Sequence, residues 1–270
     1  MKIKVISDLH INRNIKFNIE ENCDLLVIAG DVSSDSYKEI EFLKQFKVET
    51  VCVAGNHLGY DSYKNFLFHQ LLYPYDKSNF TLEHEIKNIQ TYFKNTNIHY
   101  LQNEYFKFND KILFGGTMYT NFELYGKQHK EECMYNAKLH IGDFETVWID
   151  KKNVRYVTPQ DYIKYFNTFI RKLKKCIKET SEDIIVVTHF APSRKAINEE
   201  YKNSDINPYF VTDLEDFIND NPRIKLWIHG HVHNSCQYKV GKCKVVCNPF
   251  GYLGENYKDV KDYKEVIVEV

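Results

Sequence analysis

The chain has 270 residues, 43% of them hydrophobic and 27% charged, which is enough apolar material to bury a full core and too much for a disordered chain. Its 36 basic and 37 acidic side chains leave a formal charge of −1, so no global field recruits nucleic acid or anionic lipid, and any affinity for phosphate must be built locally. Met1 leads straight into a strand-like run without a signal-peptide core, and no apolar stretch approaches the roughly 20 residues that span a bilayer. A soluble, cytoplasmic protein with no membrane partner is expected.

Three short apolar runs open the chain: Ile3 to Ile6, Leu25 to Ala29 and Thr50 to Ala54. Each stops abruptly in polar residues, at Ser7-Asp8, Gly30-Asp31 and Gly55-Asn56-His57, and reads as a buried strand ending in a loop. Between the second and third, Tyr37 to Phe46 carries apolar residues at 37, 40, 42, 43 and 46, the pattern of an amphipathic helix. Strand, helix, strand is the alternation that builds layered α/β sheets. Leu58 to about Lys94 is aromatic and polar, helical in part, with no clear subdivision. His99 to Phe108 and Lys111 to Thr120 form a hairpin through Asn109-Asp110. Asn121 to Arg155 has no clear period and reads as an insertion able to cover a site.

Pro159 opens a helix running to Glu179, with Tyr162, Tyr165, Phe166, Phe169, Ile170 and Leu173 along one face. The opening theme then returns: Ile184 to Val187 ends in Thr188-His189, and Ile224 to Ile228 ends in His229-Gly230-His231-Val232-His233. Between them Val211 to Asn219 reads as a helix capped near Thr212. Cys236 to Val240 and Lys244 to Cys247 turn through Gly241-Lys242, and Glu265 to Val270 is a closing strand. With no repeat, low-complexity tract or flexible linker, residues 1–270 are expected to form one domain of two sheet-containing halves. The seven cysteines are scattered without a CxxC pair and suit reduced thiols. Cys243 and Cys247 bracket a strand-like Lys244-Val245-Val246 and read as ordinary half-buried thiols, not as a zinc pair.

Five strand ends thus carry side chains able to bind metal. Asp8 and His10 are two apart, so on extended backbone both side chains lie on one side, where one divalent ion could take both. Asp31 supplies a carboxylate that can bridge two metals, and Asn56 a neutral carbonyl oxygen. His189, His231 and His233 add imidazoles, giving a mixed oxygen and nitrogen set without soft sulfur. Each piece alone is weak: Asp at a strand end is a common turn former, and Gly55-Asn56-His57 is as good a plain turn. Joint recurrence at the carboxyl ends of successive strands, where open α/β sheets place their sites, carries the argument. His229, on the opposite face of an alternating strand, reads as a structural histidine.

In order and type, Asp8-Leu9-His10, Gly30-Asp31, Gly55-Asn56-His57, Thr188-His189 and Gly230-His231-Val232-His233 resemble the motifs of the calcineurin-like metallophosphoesterase superfamily. The resemblance implies an α/β fold, a four-layer αββα sandwich of two mixed β-sheets flanked by helices, spanning nearly the whole chain. It implies Asp8, His10, Asp31 and His233 around one metal and Asp31, Asn56, His189 and His231 around another, with Asp31 as the bridge. Manganese is the favoured pair, with Fe, Zn, Ni or Co compatible. A hydroxide held between the metals would attack phosphorus in line, and His57 would protonate the leaving oxygen. Gly116 to Phe122, Val187 to Ser193 and Asn248 to Tyr252 resemble a bacterial and phage branch of unassigned substrate. That branch leads one to expect Arg where Phe250 stands, and the departure puts a phosphate contact there in doubt. Asp35 is a loose match for a residue that orients His57.

Protein phosphatases of the superfamily carry an Arg soon after the bridging Asp and a Glu after the catalytic histidine, whereas here the segments read Asp31-Val32-Ser33-Ser34-Asp35 and His57-Leu58. The Asp often found after the catalytic histidine of cyclic-nucleotide diesterases is also missing. A nuclease of the same superfamily is disfavoured by the neutral charge. Arg194 and Lys195 read either as phosphate contacts or as a solvated pair. The favoured reading is hydrolysis of a small nucleotide-like phosphodiester or phosphomonoester. The alternative from another class is a metal-binding protein-interaction scaffold, which the retention of His57 and all seven ligands disfavours. No residue pattern sets an oligomeric state.

Overall fold

In β1 (Lys2–Ile6), Ile3 and Val5 face one way and Lys4 and Ile6 the other, and all four are buried. A strand buried on both faces must sit inside layers. Lys4, wholly buried, is held by an ion pair with Glu265 and the carbonyl of Glu20, as a buried charge must be. In the computed structural model, which describes residues 1–11, 17–61 and 77–270, the chain continues through β2 (Leu25–Ile28), α1 (Ser36–Leu43), β3 (Thr50–Val53), α2 (Leu82–Tyr92) and β4 (Ile98–Leu101). It crosses to a second sheet with β5 (Glu104–Phe108) and β6 (Lys111–Gly116), then forms α3 (Lys130–His140), α4 (Asp143–Thr146), β7 (Trp148–Ile149), β8 (Arg155–Tyr156) and α5 (Pro159–Glu179). The rest is β9 (Asp183–Thr188), α6 (Asn207–Phe210), α7 (Glu215–Asp220), β10 (Ile224–His229), β11 (Cys236–Val240), β12 (Cys243–Cys247) and β13 (Val266–Glu269).

One sheet has the order β13-β1-β2-β3-β4 and the other β11-β12-β10-β9-β6-β5. Strands β1 to β4 are mutually parallel, as are β6, β9, β10 and β12, while the edge strands β13, β11 and β5 run antiparallel to their neighbours. Ile3, Val5, Val27 and Val53 meet Leu113, Ile185, Val187 and Ile228 in an apolar seam between the sheets. The outward faces are covered by α1 and α2 on one side and by α5 on the other, through Phe166, Phe169 and Leu173. This is the four-layer αββα sandwich of two mixed sheets. Truncating the buried Phe169 to Ala is expected to cost about 3–5 kcal/mol. The capping box of Thr158 and Asp161, with Pro159 in the first turn, fixes where α5 begins.

Four readings change. The hairpin is β5–β6 alone: the run from His99 breaks at Gln102-Asn103, where Asn103 has φ +60°, so that β4 pairs with β3 in the first sheet and β5 with β6 in the second. The helix expected over Val211 to Asn219 begins later, as α7 from Glu215, and α6 ends before it at Phe210; Thr212 bonds the hydroxyl of Thr120 at 3.1 Å and caps neither. Asn121 to Arg155 holds real helix in α3, which buries only Cys133, Met134 and Ala137, too few to leave a readable period. Within Leu58 to Lys94, α2 follows a short 3-10 turn at Lys77–Phe80, and residues 62–76 lie outside the described residues. Among the described residues no helix is long and apolar enough to cross a membrane.

Candidate metal centre

The carboxyl ends of β1, β2, β3, β9 and β10 converge at one edge of the sandwich. Two backbone bonds stitch the sheets together there, Ser7 N–H to Asn248 C=O (3.1 Å) and Gly251 N–H to Asp8 C=O (3.0 Å), and Gly230 N–H to His189 C=O (3.0 Å) ties the ends of β10 and β9 within the second sheet. The side-chain atoms of Asp8, His10 and His233 lie within 4.8 Å of one another, as do those of Asp31, His189 and His231, and those of His10, Asp31 and His57. His189 Nε2 is 3.0 Å from Asn56 Oδ1 and 3.2 Å from Asp31 Oδ2. His10 Nε2 and His233 Nε2 face each other at 3.2 Å. All seven expected ligand residues and His57 are therefore brought to one place.

The local backbone is not the extended strand expected from the two-residue spacings. Asp8 (φ +54°), His10 (+45°), Asp31 (+52°), His231 (+70°) and His233 (+46°) are left-handed, a conformation that side-chain-bearing residues hold only where the surroundings impose it. The motif glycines make room: a Cβ on Gly55 would lie 1.8 Å from Asp31 Oδ1, and one on Gly230 2.6 Å from Asp8 Oδ2. Gly-Asn-His and Gly-His-Val-His thus need glycine because a neighbouring ligand carboxylate occupies the Cβ position.

Several groups hold the candidate ligands in orientation. His189 Nδ1 donates to the Ala29 carbonyl (2.8 Å) and His233 Nδ1 to Glu255 (2.8 Å), which turns each Nε2 toward the cluster. Asp8 accepts from the His231 N–H at 3.0 Å, and Asp31 from the His57 N–H at 2.9 Å. Asp143, wholly buried at the start of α4, accepts from Asn56 Nδ2 (3.0 Å) and from the hydroxyls of Tyr60, Tyr162 and Tyr209. It fixes the Asn56 amide with its oxygen toward the cluster. Sequence reasoning missed Asp143, Glu255 and Tyr252; nothing local distinguishes an Asp after Gly142 from any other helix start.

Electrostatics favour a cation. Burial lowers His10 to about 3 and His231 well below the ordinary range, with neighbouring imidazoles adding to the shift, so both rings are neutral. Burial would also lower His189, but the Asp31 carboxylate, with Asp8, overrides it and raises the ring to about 9. Asp31, against its own burial, is held well below the carboxylate range by His189 and His57. A proton between His189 and Asp31 thus stands where a metal would displace it. Among the described residues His231 Nε2 is buried without a hydrogen-bond partner, and one ring nitrogen of His231 lies within 4.8 Å of Asp31 and His189. Two carboxylates, an amide oxygen and four imidazoles are the donor set of a borderline divalent metal, and the residues fit such ions.

His57 stands at the rim, its ring stacked on Tyr60 (4.1 Å between centroids) and its Nε2 3.4 Å from the Tyr252 hydroxyl. It opens, with Asp31 and Asn56, onto a cleft of about 470 Å³ whose other walls include Ile141, Ile197, Tyr201 and Phe210. Asp35 caps α1 through the Lys38 N–H at 2.8 Å. Arg194 is paired with Asp213 (2.8 Å) and Lys195 with Glu215 (3.1 Å). Phe250 is wholly buried, its ring parallel to Tyr257 at 5.6 Å, so where Arg was expected there is an aromatic plug under the loop.

The profile of the calcineurin-like phosphoesterases matches residues 1–235. The chain belongs to this metal-dependent family. No curated protein sequence matches it. Among solved structures it is similar to phosphopantetheinyl hydrolase from Mycobacterium tuberculosis, with a TM-score of 0.67 and 14% identity over 94% of this chain and 90% of that one. It is also similar to TT1561 of Thermus thermophilus, with a TM-score of 0.49 and 12% identity over 99% of this chain and 98% of that one. At 14% identity the likeness to the hydrolase is one of fold.

Proposed function

We propose that the protein hydrolyses a small nucleotide-like phosphoester, a diester in preference to a monoester, at a binuclear metal centre. Asp8, His10, Asp31 and His233 would hold one ion and Asp31, Asn56, His189 and His231 the other, with manganese the favoured metal. Two such ions would activate a water as the nucleophile and neutralise charge on the phosphoryl oxygens. The observation that carries the reading is the convergence of two buried carboxylates and five imidazoles at one edge of the sandwich, with the His231 Nε2 unpartnered among the described residues.

The remaining chemistry falls to this chain's own side chains. His57, at the rim and exposed on one side, protonates the leaving oxygen; its Nε2 lies 3.9 Å from Asp31 Oδ2, beside the cluster. Tyr60, stacked beneath it and bonded to Asp143, keeps the ring from turning away. The apolar and aromatic walls suit a flat base or another apolar leaving group and hold water back from it. We take residues 1–270 as one domain, and its 121–155 insertion as part of the cover, since His140, Ile141 and Gly142 line the cleft. The scattered free thiols support a cytoplasmic location.

The test compares Mn-loaded wild type with His57→Ala and Asp31→Asn on bis-p-nitrophenyl phosphate and p-nitrophenyl phosphate, with metal content measured in each sample. Turnover of the diester by wild type, with metal and activity lost in Asp31→Asn, is the expected result. A protein that binds no metal sinks the reading; one that binds two metals and turns over neither ester supports the scaffold alternative.

A further inference from the structure

On the outer face of the second sheet, a second set of ligands stands apart from the strand-end cluster. Strand register places His229 of β10 beside Cys247 of β12, and Cys247 opposite Cys236 of β11. Three neighbouring positions on three adjacent strands project to one side, and the imidazole nitrogen and both sulfurs lie within 4.8 Å of one another. His229 and Cys247 are wholly buried and Cys236 is half-buried. The His229 ring is fixed: its Nδ1 lies 3.0 Å from the Gly230 carbonyl, which can only accept, so the proton sits on Nδ1 and Nε2 presents a lone pair. That Nε2 is buried, and among the described residues no oxygen or nitrogen bonds it. A ring nitrogen anchored through its far N–H to a backbone carbonyl, with its lone pair aimed at two thiols, is how proteins orient an imidazole toward a metal.

We propose that His229, Cys236 and Cys247 form a site for zinc or a similar thiophilic divalent ion. Two sulfurs and one nitrogen suit zinc, whereas the oxygen and nitrogen set at the strand ends does not select for sulfur-seeking metals. Ideal tetrahedral bonds of about 2.3 Å to sulfur and 2.0 Å to nitrogen put ligand atoms about 3.5–3.8 Å apart. From separations within 4.8 Å the three side chains therefore need close by about 1.3 Å at most, a small rotamer adjustment. Binding deprotonates both thiols and releases two protons for each ion bound. The fourth position, on the side of half-buried Cys236, falls to water. Such an ion would tie β10, β11 and β12 together just before Gly230-His231-Val232-His233 leaves β10, and beside the Asn248 turn that bonds Ser7. Its role is structural bracing of the strand end that carries two candidate ligands of the other centre. The inference does not depend on the proposed phosphoesterase centre.

Cobalt titration of the full-length, metal-stripped protein under reducing conditions distinguishes the two sites, because only thiolate ligation gives a sulfur-to-cobalt charge-transfer band in the near ultraviolet. Wild type should show that band; it should disappear in Cys236→Ser and in Cys247→Ser, persist in Cys133→Ser, and persist in Asp31→Asn. Circular dichroism confirms that each variant is folded. Zinc should also raise the unfolding temperature of Asp31→Asn but not of Asp31→Asn combined with Cys247→Ser. Absence of the band in wild type, or its survival in folded Cys236→Ser and Cys247→Ser, would overturn the site. Loss of activity in Asp31→Asn with the band retained concerns the phosphoesterase reading alone.

Discussion

Asp31, at the carboxyl end of β2, and Glu39, on α1 against the outer face of the same sheet, are both buried, yet they hold their protons with opposite strength. Burial alone would raise both. At the strand-end edge the imidazoles of His189 and His57 reverse the effect and keep Asp31 ionised. Under α1 no cation among the described residues answers: burial, with the Asp31 charge adding to it, lifts Glu39 to about 8, and the Cys52 thiol meets its carboxyl group at 3.8 Å. A buried carboxylate takes its charge from the groups built around it. One edge of the sheet is therefore prepared for cations while its outer face carries a neutral acid.

The largest expected effect comes from removing that preparation. Asp31→Asn withdraws the charge shared by both candidate metal sites and should lower activity more than about 10³-fold, with metal lost in proportion. Retention of two metals by this variant would break the contrast at its charged end. His57→Ala should keep both metals and lose about 10²–10⁴-fold in rate, the usual contribution of a positioned acid. The loss should depend on the ester. A p-nitrophenolate leaves without much help, so the gap between wild type and variant should widen for phenyl or alkyl esters. An equal gap for all leaving groups would remove His57 from the role of acid. Asp143→Asn should lower metal affinity about 10–100-fold by releasing the Asn56 amide, with His57 still in place. Isothermal titration with manganese checks it, and unchanged affinity would reduce Asp143 to a purely structural hub.

The sequence made the edge legible because its chemistry recurs: Asp8-Leu9-His10, Gly30-Asp31, Gly55-Asn56-His57, Thr188-His189 and Gly230-His231-Val232-His233 each end an apolar run. Asp8, His10, His231 and His233 reach the cluster through left-handed backbone and not through the strand alternation that their two-residue spacing predicts. What stayed hidden depends on distance in the chain. Asp143 meets Asn56 and Tyr60 more than eighty residues away, and Glu255 meets His233 across 22. His229, Cys236 and Cys247 have no metal-motif spacing because three strands in register assemble them. The break at Asn103 was invisible for a similar reason: β4 and β5 are both strand-like, and only the choice of partner separates them.

The smallest effect tests the neutral end of the contrast. Glu39 has a folded-state value near 8 against about 4.5 when unfolded, so between those limits the folded protein holds a proton that the unfolded chain has released. Its contribution to stability is fully present below about pH 4.5 and is lost as pH rises through 8, at no more than about 1.4 kcal/mol per pH unit. Glu39→Gln keeps the shape of the neutral acid and cannot ionise. Urea unfolding of the two Mn-loaded proteins from pH 5 to pH 8.5 should therefore show wild type losing stability relative to the variant as pH rises, with the gap closing toward pH 5. Because the strand-end edge is identical in both, its titration cancels in the difference. Parallel stability curves would mean that Glu39 is ionised in the folded protein after all, and that burial under α1 is relieved by a partner there as effectively as Asp31 is relieved by its histidines.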